Sequence, residues 1–265
     1  MNRIDETFFA LRRAGRKALI PFLTGGFPSL DLSLKLSLEL ARRGADIIEI
    51  GVPFSDPIAD GPIIQGSSQR ALAQGVNLRM ILDLVSQLKF RYPTPVVLMS
   101  YCNPLLRWGI CDFMERAQAA GVDGIIVPDL PPEEAGEFLG ASERHNLDLI
   151  FLLAPTSSGE RIRLISRMTR GYIYYVSVTG TTGTRKSLAP DLRESILRIR
   201  KCTKTPIAVG FGISSPEQAK AASSLADGVI VGSALIAQIQ KTLDRPDLIE
   251  KTGEFFASFK PSSLQ

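Results

Sequence analysis

The stretch IAVGFGISSPEQAKAASSLADGVIVGSALI, residues 207–236, contains one complete strand–helix unit and the beginning of the next. Its two apolar runs, Ile207–Val209 and Val229–Val231, are continuous rather than alternating, which is typical of strands covered on both faces. Between them, residues 215–225 carry a Ser that can cap a helix, a Pro in the first turn and then a Glu. The stretch therefore predicts two parallel strands connected by a helix.

The same alternation of short apolar runs and amphipathic segments repeats along the chain. The predicted strands are Leu19–Leu23, Ile47–Ile50, Val96–Met99, Gly124–Val127, Leu149–Leu153, Tyr172–Val176, Ile207–Val209 and Val229–Val231. The predicted helices between and after them are 30–44, 77–91, 111–121, 132–146, 159–169, 190–201, 215–225 and 245–259. Eight strand–helix units in 265 residues predict an α/β fold, a single (β/α)₈ TIM barrel.

Four further features refine this prediction. An extra N-terminal helix, residues 4–15, precedes the first strand and could close the bottom of the barrel. An open doubly wound sheet is the alternative, disfavoured because no GxGxxG motif follows the first strand. No low-complexity linker divides the chain, so we expect residues 1–265 to form one domain. The Pro- and Gly-rich residues 51–76 predict a long loop after strand 2, and long ordered loops are often functional.

Composition excludes several classes of protein. The 31 Lys and Arg residues against 27 Asp and Glu give a net charge of +4, and the basic residues are scattered, which favours solvated helix faces over nucleic-acid binding. The three cysteines, at positions 102, 111 and 202, show no metal-binding spacing and indicate a reducing compartment. The single His145 cannot supply a multi-histidine metal site. With no signal peptide and no long apolar run, we expect a soluble cytoplasmic protein.

Glycines follow the last two predicted strands, where phosphate groups are commonly bound in barrels. Gly210 and Gly212 follow strand 7, and Gly232 with Ser233 follows strand 8 and opens a short helix. A third glycine cluster, VTGTTGTRKS (178–187), follows strand 6. Backbone N–H groups at glycine turns and helix N-termini stabilise anions. The pattern predicts a phosphorylated substrate, although glycines that serve only tight turns remain the alternative.

Three acidic residues lie within EIGVPFSDPIADGP, residues 49–62. Glu49 ends strand 2, the position from which barrel enzymes present catalytic groups, and an apolar pocket there should raise its pKa. A carboxyl with a raised pKa can give and take a proton near neutral pH, whereas a structural ion pair with Arg or Lys is the alternative. Asp56 and Asp60 lie in the following loop, where Asp often serves only as a turn or cap residue. The prolines at 53, 57 and 62 are expected to keep this loop out of a helix.

The segment IEIGVPFSDPIADGPIIQ (48–65) resembles the signature of the tryptophan synthase alpha chain family. Four other segments resemble the family in the same order: LIPFLTGGFPS (19–29), VPDLPPEE (127–134), TGTTGTR (179–185) and GFGISSPEQ (210–218). The resemblance implies a (β/α)₈ barrel that cleaves indole-3-glycerol phosphate to indole and glyceraldehyde 3-phosphate. It implies no cofactor in this chain, and a beta-subunit partner that carries pyridoxal phosphate in an alpha2beta2 heterotetramer.

The resemblance also implies a role for each matching residue. Glu49 would be the general acid and base, and Asp60 would hydrogen-bond the indole N–H and stabilise the positive charge that develops there. Thr182 would steady Asp60 when the loop after strand 6 closes, and Asp56 would lie at the contact with the beta subunit. The substrate-binding set comprises, besides Thr182, the pocket residues Phe22, Tyr174 and Phe211 and the phosphate-binding residues Gly183, Gly212, Gly232 and Ser233.

Two other functions are compatible with these residues. The chain could be a binding subunit that mainly activates a beta partner and has weak chemistry of its own. It could also be another phosphate-binding barrel, such as a sugar-phosphate epimerase or isomerase. Metal-dependent epimerases of that kind need several His and Asp ligands, which a chain with one His does not provide.

Overall fold

The computed structural model describes residues 2–176, 192–210 and 212–260. Within them nine parallel strands form one sheet in the order β5-β4-β3-β2-β1-β9-β8-β7-β6. The strands are β1 Ala18–Thr24, β2 Ile48–Gly51, β3 Val96–Met99, β4 Gly124–Ile126, β5 Asp148–Ile150, β6 Leu152–Leu153, β7 Ile173–Val176, β8 Ile207–Gly210 and β9 Gly228–Val231. The helices are α1 Arg3–Arg13, α2 Leu30–Arg42, α3 Pro62–Ala73, α4 Leu78–Arg91, α5 Cys102–Trp108, α6 Ile110–Ala119, α7 Gly136–Arg144, α8 Gly159–Met168, α9 Leu192–Arg200, α10 Pro216–Ser223, α11 Ser233–Lys241 and α12 Leu248–Ala257, with a 3₁₀ turn at Pro132–Glu134.

The two ends of this strand order are consecutive in the chain, and that closes the sheet into a barrel. β5 pairs with β4 and β6 pairs with β7, and only Phe151 separates β5 from β6. The Phe151 carbonyl accepts a hydrogen bond from the Tyr174 N–H at 3.1 Å, so the residue between β5 and β6 is also bonded to the neighbouring strand β7. The predicted fifth strand, 149–153, is therefore divided between its two neighbours. The predicted (β/α)₈ fold is confirmed.

The loop after β2 is shorter than the predicted 51–76, because residues 62–73 form α3. Pro62 was expected to keep this segment out of a helix, and that expectation is wrong. Pro is tolerated at the first helical position, where its missing N–H needs no partner, and Gly61 precedes it as the N-cap. The irregular segment is therefore 52–61, which shortens the loop and fixes its far end to a helix.

Helix α1 closes the end of the barrel where the strands begin, as predicted. The Asn2 side chain caps the helix and also donates to the Asp123 carbonyl at 2.9 Å. Ile4 is fully buried, close to Gly124 and Gly171 at the starts of β4 and β7. Phe8 packs against Tyr172 with ring centroids 5.7 Å apart. Within the described residues, a cavity lies at the opposite, C-terminal end of the barrel.

The strands are almost completely buried, with apolar side chains facing both the barrel interior and the surrounding helices. This accounts for their continuous apolar sequences. Among the helices that the structure describes, none is both long enough and apolar enough to cross a membrane.

Candidate active site

A cavity of about 110 Å³ lies at the C-terminal end of the barrel. Its wall is mostly apolar and is built from β1, β3, β7 and β9, from the loops after β2 and β8, and from the N-terminal parts of α3 and α11. The lining residues are Phe22, Asp60, Ile63, Ile64, Met99, Tyr174, Gly212, Ile213, Ser214, Ile230, Gly232, Ser233, Ala234 and Ala237. Six residues predicted from sequence therefore meet in one cavity: Phe22, Asp60, Tyr174, Gly212, Gly232 and Ser233.

Glu49 is completely buried in the middle of β2, beside Phe22 of β1. Its Oε1 accepts a hydrogen bond from the Tyr172 hydroxyl at 2.5 Å, and its Oε2 has no hydrogen-bond partner among the described residues. Burial raises the pKa of Glu49 to about 8, and the Tyr172 hydrogen bond opposes this shift. The predicted rise in pKa is confirmed, and the described part of the chain places no Arg or Lys in an ion pair with Glu49.

The orientation of Glu49 differs from the expectation that it faces the pocket. It is not among the residues that line the cavity. Its partner Tyr172 lies two residues before the cavity residue Tyr174, toward the N-terminal end of the barrel. Inward-facing residues alternate along a strand, so Tyr172 and Tyr174 point to the same side at different depths. Glu49 is thus held one level beneath the cavity.

Asp60 lies in the cavity wall at the end of the 52–61 loop, directly before the N-cap of α3. Its backbone N–H donates to the Pro57 carbonyl at 3.0 Å, and its carbonyl accepts from Gln65 Nε2 at 2.9 Å. Burial raises the pKa of Asp60 to about 6, and a hydrogen bond from Tyr101 opposes the shift. Two carboxyl groups with separated pKa values can hold different protonation states at the same pH.

The far side of the cavity is suited to a phosphate group. Ser233 begins α11 and Gly232 is its N-cap, so the first N–H groups of this helix lie at the cavity wall. Such N–H groups have no carbonyl partner within their own helix and attract anions. Gly212 has a φ of +88°, a conformation that favours glycine, and it brings a second backbone turn to the same wall.

The other predicted residues lie elsewhere. Thr182, Gly183 and Phe211 are outside the described residues. Asp56 is exposed, accepts a hydrogen bond from the Ser55 hydroxyl and does not line the cavity. The Ile58 side chain, in the same loop, is 79% exposed. The three acids of the 49–62 segment thus lie in three environments: beneath the cavity, in its wall and on the outer surface.

Sequence reasoning missed two tyrosines that contact the carboxyl groups. Tyr172 is two residues before Tyr174, so strand alternation alone could have placed it on the inner face. Tyr101 is the second residue after β3, which ends at Met99. From this position a side chain can reach the cavity end of the barrel. Among residues 2–176, 192–210 and 212–260, no three acidic, His or Cys residues are arranged to hold a metal ion.

The comparisons with known proteins agree with one another. The family model described as tryptophan synthase alpha chain matches residues 8–261. The alpha chain of Citrifermentans bemidjiense is 50% identical over 265 residues, which cover 100% of this chain and 99% of that one. That of Geobacter sulfurreducens is 51% identical over 241 residues, covering 91% of each chain.

Solved structures give the same result. A Mycobacterium tuberculosis tryptophan synthase chain superposes with a TM-score of 0.90 at 39% identity, covering 98% of this chain and 99% of that one. The tryptophan synthase subunit alpha of Legionella pneumophila also gives a TM-score of 0.90 at 39% identity, covering 98% and 97%. From the family model, the relatives and the folds together, this chain belongs to the tryptophan synthase alpha chain family.

Proposed function

We propose that this chain is the alpha subunit of a tryptophan synthase and that it cleaves indole-3-glycerol phosphate to indole and glyceraldehyde 3-phosphate. The observation that carries the proposal is one apolar cavity that ends in a helix N-terminus, with the Asp60 carboxyl in its wall and the buried Glu49 carboxyl beneath it. The apolar wall suits an indole ring, and the helix N-terminus suits a phosphate.

The substrate is oriented by groups of opposite character. Phe22, Tyr174 and the neighbouring aliphatic side chains would contact the indole ring, while Gly212, Gly232 and Ser233 would bind the phosphate. This directs the indole N–H toward Asp60. An ionised Asp60 can accept that hydrogen bond, and it stabilises the positive charge that develops on the ring in the transition state.

Glu49 would transfer the protons. With a pKa of about 8 it is mostly protonated at neutral pH, so it can donate a proton to C3 of the indole ring. The resulting Glu49 carboxylate then takes the proton of the substrate hydroxyl on the carbon attached to C3 of the ring. As the carbon–carbon bond breaks, its electron pair returns to the ring and the hydroxyl carbon becomes the aldehyde. Because Glu49 is bonded to Tyr172 beneath the cavity, the step requires its side chain to turn toward the substrate.

The remaining roles follow from family membership. Thr182 would steady Asp60, Gly183 would bind the phosphate and Phe211 would line the pocket. The partner would be a beta subunit that carries pyridoxal phosphate in an alpha2beta2 assembly, with indole passed to it for tryptophan synthesis. Asp56 would lie at this contact, and exposed Ile58 beside it offers an apolar group to a partner. We also propose a cytoplasmic location and a single domain over residues 1–265, which the one continuous sheet supports.

The proposal is tested with Glu49→Gln, which keeps the shape of the side chain and removes its acidic proton. Indole release from indole-3-glycerol phosphate should fall by at least about 10³-fold, since a general acid and base is lost. Binding of glyceraldehyde 3-phosphate should be retained. Glu115→Gln, on an exposed position of α6, is the matched control and should behave as the wild type. Near-normal turnover by Glu49→Gln would contradict the assignment.

The retracted position of Glu49 also favours a second candidate, a subunit that mainly activates its beta partner. Indole release by the isolated chain, and then with the beta subunit added, distinguishes the two. Absence of indole in both assays, together with increased beta activity, would support the second candidate over the first.

A further inference from the structure

Tyr101 fastens the 52–61 loop to the end of the barrel. Its side chain is buried, with only 4% exposed, and its ring stacks on Phe54 with centroids 5.1 Å apart. Its hydroxyl accepts a hydrogen bond from the Ala59 N–H at 3.0 Å. The loop is also attached at its start, where the Val52 N–H donates to the Met99 carbonyl at 2.8 Å. One side chain therefore contacts both halves of the loop.

The Tyr101 hydroxyl can donate its one proton in a hydrogen bond to the Asp60 carboxyl. A tyrosine hydroxyl has one proton to donate, and here its oxygen already accepts from Ala59. Asp60 directly follows Ala59 in the chain, so its carboxyl lies near the Tyr101 hydroxyl. Burial raises the pKa of Asp60 and a hydrogen bond from Tyr101 opposes that rise, while burial, followed by the charge of Asp60, raises the pKa of Tyr101. A bond from a neutral hydroxyl to a carboxylate is charge-assisted and directional.

We propose that Tyr101 is a positioning residue for Asp60: its hydroxyl aims the Asp60 carboxyl into the cavity, and its ring fixes the 52–61 loop. The proposal rests on the proposed function, in which Asp60 stabilises charge on the indole ring. It assigns to Tyr101 no direct contact with the substrate, since Tyr101 is not among the residues that line the cavity.

The test is Tyr101→Phe, which keeps the stacked ring and removes only the hydroxyl. If the hydroxyl aims Asp60 at charge that develops in the transition state, kcat should fall about tenfold while KM changes less than about threefold. The titration midpoint of the Asp60 carboxyl, measured by carboxyl carbon NMR as a function of pH, should rise above the wild-type value. Tyr92→Phe removes a hydroxyl beyond the end of α4 and is the matched control; it should leave both quantities unchanged.

A second variant separates the two parts of the side chain. Phe54→Leu removes the stacked partner but leaves the Tyr101 hydroxyl, so the midpoint of Asp60 should move less than in Tyr101→Phe. A kcat of Tyr101→Phe within twofold of the wild type overturns the proposal, whatever the midpoint does. If the wild type itself releases no indole, the proposed function fails instead. In that case the titration midpoint of Asp60 in Tyr101→Phe is the remaining test of whether Tyr101 positions Asp60. A midpoint equal to that of the wild type would overturn the positioning role of Tyr101.

Discussion

At the scale of single residues, the two carboxyl groups of the site differ in their surroundings and therefore in their pKa values. Glu49 is enclosed on all sides and receives one hydrogen bond, whereas Asp60 lines the cavity beside Tyr101. Burial disfavours the charged form of both, more strongly for Glu49, and the pKa values are about 8 and about 6. At neutral pH the first is mostly protonated and the second mostly ionised, which are the states that the proposed reaction requires.

This difference predicts a bell-shaped pH dependence of kcat/KM for indole release. The acid limb should have a midpoint near 6, because Asp60 loses its charge below it. The alkaline limb should have a midpoint near 8, because Glu49 has lost its proton above it. Steady-state kinetics across both limbs, with the stability of the chain checked at each pH, provide the measurement. A rate that keeps rising well above pH 8 would contradict the role of Glu49 as the acid.

The Tyr172 hydroxyl should set the position of the alkaline limb. Tyr172→Phe removes the hydrogen bond that favours the Glu49 carboxylate, so the pKa of Glu49 should rise further and the alkaline limb should move to higher pH. The acid limb, which belongs to Asp60, should stay in place. Tyr92→Phe serves as the control. A shift of the alkaline limb to lower pH would show that another contact controls Glu49.

At the scale of elements, sequence predicts the strands better than the loop that carries Asp60. Continuous apolar runs identify every barrel strand within one or two residues. Helix α3 is missed because Pro62, Gly66, Ser67 and Ser68 have the composition of a loop. In the structure, the Ser67 hydroxyl lies 2.6 Å from that of Thr24 in β1 and donates to the Ile64 carbonyl, so a small polar residue packs the helix against the barrel. Such pairing depends on distant residues and is not visible locally.

Two glycines test how closely the elements fit around the cavity. A Cβ at Gly210 of β8 would lie 2.3 Å from the Tyr174 hydroxyl and 2.6 Å from its ring, whereas a Cβ on exposed Gly66 of α3 would meet nothing within 4 Å. Gly210→Ala should therefore displace Tyr174, destabilise the chain by about 1–3 kcal/mol and lower kcat/KM for indole release. Gly66→Ala should stabilise it by roughly 0.5–1 kcal/mol without affecting activity, because Gly is unfavourable within a helix. Urea unfolding and kinetics measure both, and equal effects would contradict the packing argument.

At the scale of the whole molecule, the two ends of the barrel have different tasks. The C-terminal end contains the cavity, and the N-terminal end is covered by α1. The repeated strand–helix pattern predicts a barrel and the position of α1 before β1 predicts a cover. No local pattern shows that the barrel closes through the division of its fifth strand at Phe151, because that depends on pairing with both neighbours. Nor can a pattern show which inward side chains meet across the barrel, as Glu49 and Tyr172 do.

The covered end contains a buried acid that should make the stability of the whole molecule depend on pH. Asp148 at the start of β5 is only 5% exposed, and its Oδ2 has no hydrogen-bond partner among the described residues. Burial, followed by the nearby charge of Asp5, raises the pKa of Asp148 to about 7, from 3.8 for an ordinary Asp. The folded form therefore holds a proton that the unfolded chain releases, and stability is lost as pH rises between these two values.

Asp148→Asn should remove this loss, because the amide does not titrate. The free energy of unfolding of the variant, relative to the wild type, should increase from about pH 4 to about pH 7 and then level off. Urea unfolding of the isolated chain at several pH values measures it. Asp83→Asn, at an exposed position of α4, is the control and should give a curve parallel to the wild type. Indole release should not change, because Asp148 lies at the opposite end from the cavity. A parallel curve for Asp148→Asn would show that the carboxyl is ionised in the folded chain, with a cation or water supplying the missing partner.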